Sequence, residues 1–163
     1  DCRAQGRGMS HATLLLCAAA SPVLLGIYVD SCKVAQFCDA QKTDIALVQI
    51  FAQALDWLRA NDCEMAQLII ARGPGSNTSL KLSYIFAQTF AIAKNIPVAG
   101  VSSFALNGNA PIFAFGQSSF VQTDGAITLV KNAEPGCFAL PQDIAHLQQT
   151  SDCEPLYVLS PLG

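Results

Sequence analysis

Residues 66–100 read AQLIIARGPGSNTSLKLSYIFAQTFAIAKNIPVAG, and their pattern decides the fold. Leu68, Ile69 and Ile70 form a short apolar run that reaches Arg72, where Gly73-Pro74-Gly75 breaks it with residues suited to sharp backbone angles. Ser76, Asn77 and Thr78 are all helix-capping types, so a helix starts beside one of them and runs to Lys94, before Asn95 and Pro97. A second short strand follows. Strand, glycine turn, helix and strand make an α/β unit. Along the helix Ser79, Ser83, Ala87 and Ala91 recur every fourth residue, a stripe of small side chains that would let another helix come close. The other faces carry Leu80, Leu82, Tyr84, Ile85, Phe86, Phe90 and Ile92, so the helix is apolar nearly all round and calls for burial on more than one side.

Working outward, residues 13–18, 23–30 and 33–38 read as three strands in a meander, with turns at 19–22 and 30–31. Thr43 is placed to cap a helix that Arg59 and Asn61-Asp62 close. Leu47, Phe51, Leu55 and Leu58 make its core stripe, while Ile50 and Trp57 lie off that stripe and widen the apolar arc. Two successive over-apolar helices predict a pair prepared for association. After Gly100, Ser102-Ser103 cap a helical turn reaching Leu106, and residues 111–115, 118–123 and 126–130 read as short strands. Asp124-Gly125 marks a hairpin between the last two. Residues 141–149 suggest a short helix and 155–159 a final strand. Residues 1–8 have no periodicity and read as a tail, 9–106 as the main domain, and 107–163 as a reduced second lobe.

Three strands in meander, helix, strand, helix, strand is the element order of the ribonuclease-H-like half of actin-like ATPase (ASKHA) folds, and predicts an α/β mixed sheet with two packed helices. At 163 residues and 52% hydrophobic, the chain has material for a sizeable core. Its net charge of −3, with lysines and arginines scattered, offers no basic stripe for nucleic acid. Seven cysteines without a C-x-x-C pattern fit neither a disulfide framework nor a zinc site, and read as reduced, mostly packed thiols. The apolar run 14–29 behind Arg3 and Arg7 has the look of a signal peptide or membrane anchor. It is shorter than the roughly 20 residues of a membrane span, and Ser21-Pro22 in its middle suits a turn between two strands.

Catalytic patterns are sparse. Arg72, Gly73, Pro74, Gly75 and Ser76 at a helix start form either an anion-binding nest or a turn shaped for strand–helix packing, and the latter fits better because no Walker lysine follows. His11 and His146, the only histidines, are not spaced for a metal or a nucleophile. Ser76 lacks the glycine elbow of a hydrolase. We therefore expect no catalytic residue, no metal and no cofactor. The rival reading from the glycine turn and element order is a nucleotide-binding enzyme of the actin-like class.

Beyond composition and spacing, Ala71-Arg72-Gly73-Pro74-Gly75-Ser76-Asn77-Thr78-Ser79, then Leu80-Lys81-Leu82, Ala87-Gln88 and Ile96-Pro97-Val98-Ala99-Gly100-Val101-Ser102-Ser103, resemble the G-R-G-P-G-S-F-T-G…I-A-Q-G…P-hydrophobic-x-G-V-S-T/S signature of the TsaB (YeaZ) family. The resemblance implies a non-catalytic subunit of the bacterial machinery that makes N6-threonylcarbamoyladenosine at position 37 of tRNA, working in the cytoplasm. It further implies pairing with a TsaD-like catalytic subunit through the first two helices and a TsaE-like ATPase as third member, and leaves both a homodimer and a monomer open for the subunit alone. Ile50, Trp57, Ser79, Ser83, Ala87 and Ala91 are the residues expected to meet the partner. The chain departs from the family at Ala18, where an aspartate ends the first strand, at Asn77 for phenylalanine, and at Ser79, Ser83, Ile85 and Thr89 for glycines. It is also shorter after Leu106.

Overall fold

The computed structural model describes residues 9–156. The expected tail at 1–8 lies outside them, as does most of the strand expected at 155–159. Strands β1 (Ser10–Cys17), β2 (Val23–Val29) and β3 (Cys32–Asp39) form the meander, helix α1 (Thr43–Ala60) follows, and β4 (Cys63–Ala71), helix α2 (Asn77–Lys94) and β5 (Val98–Val101) complete the first sheet. Its order is β3-β2-β1-β4-β5, with β1, β4 and β5 parallel and β2 and β3 antiparallel. The run 14–29 is thus a hairpin at the centre of the sheet. No helix among the described residues is long and apolar enough to cross a membrane.

Both faces of this sheet are covered, which is why β1 and β2 read as unbroken apolar runs instead of alternating ones. Leu14, Leu16, Leu25, Ile27, Leu68 and Ile70 point to the face carrying α1 and α2, where Leu47, Ile50, Phe51, Ala54 and Ala87 meet them. Leu15, Leu24, Tyr28 and Ile69 point the other way. Phe51 of α1 stands 4.9 Å from the rings of both Phe86 and Phe90 of α2, so aromatic packing fixes the helices to each other.

Helix ends follow side-chain chemistry in one case and depart from it in the other. At α2 the Ser76 hydroxyl accepts from the Ser79 N–H, and Asn95 at φ 56° closes the helix in the left-handed conformation that asparagine tolerates. At α1 the expected cap, Thr43, is instead the first helical residue. The cap position belongs to Lys42, without a side-chain bond, and the Thr43 hydroxyl is spent on Ser79 2.6 Å away.

A 3-10 turn, Ser103–Leu106, leads to a second sheet of β6 (Ile112–Phe115), β7 (Ser118–Thr123) and β8 (Ala126–Lys131), in the order β6-β7-β8. Asp124 at φ 51° and Gly125 at φ 82° give the primed turn that matches the twist of the β7–β8 hairpin. Ile112 and Phe120 pack on Phe104 as a small core.

The segment after this sheet departs from expectation. Residues 141–149 form no helix. An extended strap crosses the second face of the first sheet, bridging Cys32 through Asp143 at the β3 edge and Gly100 through Thr150 at the β5 edge. Leu140 and Ile144 are buried against Leu15, Leu24 and Tyr28, and the Tyr28 hydroxyl donates to the Pro141 carbonyl at 2.6 Å. The face needed a cover, and backbone bonds to two sheet edges satisfy the strap without helical ones. Strands β6–β8 form a sheet of their own, while Leu140 and Ile144 of the strap pack into the core of the first sheet.

Candidate functional site

The expected contact residues separate by burial. Ile50, Ser83, Ala87 and Ala91 are 0%, 1%, 0% and 4% exposed and lie inside this chain, so they are not available to a partner. Ser79 and Trp57 are half-buried. The small-residue stripe is an internal seam: Ser79 binds Thr43 on α1, Ala87 sits in the core beneath the helices, and Ser83 turns its hydroxyl onto the Leu80 carbonyl of its own helix. Small side chains let α2 settle close to its own neighbours, which leaves the larger ones outside.

Those larger residues form the outward surface. Ile45 and Val48 of α1 are 43% and 59% exposed, and Leu82, Ile85 and Ile92 of α2 are 37%, 51% and 79% exposed. Positions 82, 85, 89 and 92 follow one helical face, with Thr89 also exposed. Isolated exposed aliphatics are common on proteins; here five fall on two adjacent helices. The signal in the sequence was the i, i+3 pair Ile45/Val48 and the matching Leu82/Ile85, which the four-residue repeat of small side chains obscured.

The glycine turn is occupied by the fold itself. A side chain at Gly75 would come within 2.5 Å of the Ala19 carbonyl oxygen, and the Ser76 N–H donates to that oxygen at 2.8 Å. Gly73 holds φ 124° and accepts the Ser103 N–H. Pro74 is buried beside them. Arg72 faces the strap: its guanidinium donates to the Asp152 carboxylate at 2.9 Å and to the Glu154 carbonyl at 2.8 Å. Its role is to anchor the chain's last described residues.

Between the glycine turn, the β1–β2 turn and the small sheet lies a cleft of about 800 Å³. Phe113, Phe115, Phe120 and Phe138 give it an aromatic wall, Ser21, Ser76 and Asn77 a polar rim, and no charged side chain lines it. Ala18 and Ala19, just past the end of β1, are buried. No group of three or more histidine, cysteine or acidic side chains suited to a metal occurs among the described residues. No carboxylate, the usual protein ligand of a hydrated Mg²⁺, is among the residues that line the cleft. Of the thiols, Cys17, Cys63 and Cys153 are free and buried, and burial pushes Cys17 up to about 11, far from a reactive thiolate. Cys38 and Cys137 are free and exposed, and Cys32 is disulfide-bonded, so the expectation of reduced thiols does not hold at that position.

The 3-2-1-4-5 mixed sheet with two helices on one face and a small second sheet defines the class: an α/β protein with the ribonuclease-H-like half of the actin-like ATPase fold. Residues 40–131, from just before α1 to the end of β8 and more than half of the chain, match the family model described as TsaD, tRNA N6-adenosine threonylcarbamoyltransferase. The chain belongs to that family, and within it is TsaB/YeaZ-like. Among curated relatives, a tRNA N6-adenosine threonylcarbamoyltransferase of Desulforapulum autotrophicum is 35% identical over 77 residues, 43% of this chain and 23% of that protein. The tRNA threonylcarbamoyladenosine biosynthesis protein TsaB of Bacillus subtilis is 37% identical over 67 residues, 32% of this chain and 29% of that protein. The matched stretches thus span less than a third of either relative. Among solved structures, YeaZ from Pseudomonas aeruginosa superposes with a TM-score of 0.56 at 16% identity, covering 83% of this chain and 72% of its own. A structure described as an uncharacterized protein with similarity to peptidase YEAZ from Pseudomonas aeruginosa gives 0.57 at 17%, with the same coverage.

Proposed function

We propose that this chain is a non-catalytic subunit in the formation of threonylcarbamoyladenosine on tRNA, docking a TsaD-type catalytic subunit on the outer face of α1 and α2. The observation that carries the reading is the apolar outer face of Ile45, Val48, Leu82, Ile85 and Ile92, beside a cleft whose lining has no charged side chain. A subunit that supplies a surface needs the first and has no use for acids in the second. The tRNA contact would then fall to the partner, in keeping with a net charge of −3. A TsaE-type ATPase is the third member this reading expects, and the cytoplasm its place of work.

Co-expression with the TsaD of the same genome, followed by size exclusion, tests the reading. The two proteins should elute together. Ile85→Asp and Val48→Asp should each weaken the complex at least tenfold, about 1.4 kcal/mol, because a carboxylate would be buried at the centre of an apolar contact. Co-elution that both variants leave intact would remove the helix pair from the interface. Micromolar binding of Mg·ATP by the isolated chain in calorimetry would favour the enzyme reading instead.

A further inference from the structure

The cleft beside the small sheet has a volume of about 800 Å³, within the range of roughly 300–1,000 Å³ typical of small-molecule sites. Phe113 and Phe115 of β6 line it and are 57% and 54% exposed, although the small core of Phe104, Ile112 and Phe120 lies beside them. Strand register accounts for their placement. Phe113 stands opposite Ser119 and Phe115 opposite Ser118, so β6 advances two residues while β7 advances one. Ala114 is the extra residue of a bulge, a device that bends an edge strand and re-aims its side chains. Phe138 adds a third ring to the lining, while the β1–β2 turn and the glycine turn contribute Ala20 and Gly75, too small to fill the space.

Polar groups at the cleft are few and uncharged. Ser21 and Asn77 are exposed at its rim, and neither side chain is engaged by another described residue. A hydroxyl and a carboxamide can donate and accept, but neither can neutralise an ion. An ionised ligand would lose water here without gaining a counter-charge, which is unfavourable. The start of α2 adds only the partial positive charge of a helix end, enough to favour a carbonyl oxygen but not to balance a phosphate. We propose that the cleft binds an uncharged, planar aromatic small molecule with a carbonyl or amide end. The ring system packs among Phe113, Phe115 and Phe138, where offset and edge-to-face contacts add to simple burial, and the polar end meets Ser21 and Asn77. The site goes beyond the docking reading, since it uses no residue of the outer face of α1 and α2.

Cys137 lines the cleft and Cys38 does not, and both are free and exposed, so the chain carries its own reporter and control. The test is iodoacetamide alkylation of the purified full chain, followed at each cysteine by mass spectrometry, with 2-naphthamide as probe and 2-naphthoate as its charged counterpart. Saturating 2-naphthamide should slow alkylation of Cys137 about fivefold or more and leave Cys38 unchanged, while Mg·ATP protects neither. Calorimetry should give a Kd of about 100 µM or tighter for 2-naphthamide and binding about tenfold weaker for 2-naphthoate. Phe115→Ala should weaken 2-naphthamide about tenfold with an unchanged thermal midpoint, because that ring is more than half exposed in the parent. Ala20→Trp, which fills the cleft from an exposed turn, should abolish binding. Ile85→Asp should bind as the parent does, which separates the cleft from the helix pair. An unprotected Cys137, equal protection at Cys38, protection by Mg·ATP, 2-naphthoate binding as tightly as 2-naphthamide, full affinity in both cleft variants, or loss of binding in Ile85→Asp would each overturn the proposal.

Discussion

The hydroxyls of Thr43 and Ser79 lie 2.6 Å apart, joining the first turn of α1 to the first turn of α2. One hydrogen bond of this kind contributes about 0.5–1.5 kcal/mol net, and its partly buried setting makes the loss of one partner felt by the other. Thr43→Val and Ser79→Ala should each lower the urea midpoint slightly, with the double variant no worse than the poorer single one. Fully additive losses would mean that the two hydroxyls act separately.

Because Ala87 is fully buried between α2 and the sheet, Ala87→Trp should unfold or severely destabilise the isolated chain. Overpacking typically costs 1–3 kcal/mol, and an indole in a site with no exposed surface stands at or beyond the upper end of about that range. Ser83→Leu should act in the same direction. Thermal melts of the chain without any partner decide the matter, and a midpoint within a few degrees of the parent would place these residues on the surface after all.

Removing Arg72 should loosen the strap while leaving the sheet intact. Arg72→Ala deletes the ion pair to Asp152 and the bond to the Glu154 carbonyl, and the arginine side chain is only 15% exposed. Asp152 is more than half exposed and regains water, so the expected loss is modest, about 1–2 kcal/mol. Limited proteolysis should cut within residues 150–156 faster in the variant than in the parent. Equal cutting rates would mean that the Gly100–Thr150 bridge alone fixes the strap.

Burial raises the Cys17 thiol from 9.0 to about 11, which ties stability to alkaline pH. The unfolded thiol ionises first, so this contribution is complete below pH 9 and is lost as pH rises towards 11. Two units correspond to roughly 3 kcal/mol. Tyr28 is raised by the same cause and acts in the same direction. Urea midpoints should fall between about pH 8 and about pH 10.5, and fall less steeply in Cys17→Ala. An identical slope in the variant would remove the thiol from the linkage.

What was legible in the sequence was local chemistry with a definite address. Ser76, Asn95, Ser102 and Asp124-Gly125 each ended or began an element where capping and turn preferences put it. The strap was not legible, because Phe138, Leu140, Ile144 and Leu147 follow neither a twofold nor a 3.6-residue period, and Ile144 with Leu147 imitates one turn of helix. Only the uncovered sheet face, a property of the assembled fold, explains their burial. The candidate surface was half legible: the helix pair could be chosen, but not its outward side. Ser79, Ser83 and Ala87 suit a seam within one chain as well as one between two, and the exposure of Ile85 and Val48 is fixed only once the sheet has chosen its side.

The strap also sets the order in which the molecule can be finished. Leu15, Leu24 and Tyr28 belong to the β1–β2 hairpin, yet the residues that seal them, Leu140 and Ile144, are more than a hundred positions later. During translation the helix-bearing face can close as soon as α2 is available, while the opposite face stays open to any apolar surface nearby. Such late, long-range closure is slow and exposes the nascent chain to aggregation. For this chain a chaperone's time of contact should therefore run from the emergence of β1 and β2 to the emergence of residues 140–150, and truncation before Leu140 should yield a sheet with one naked side.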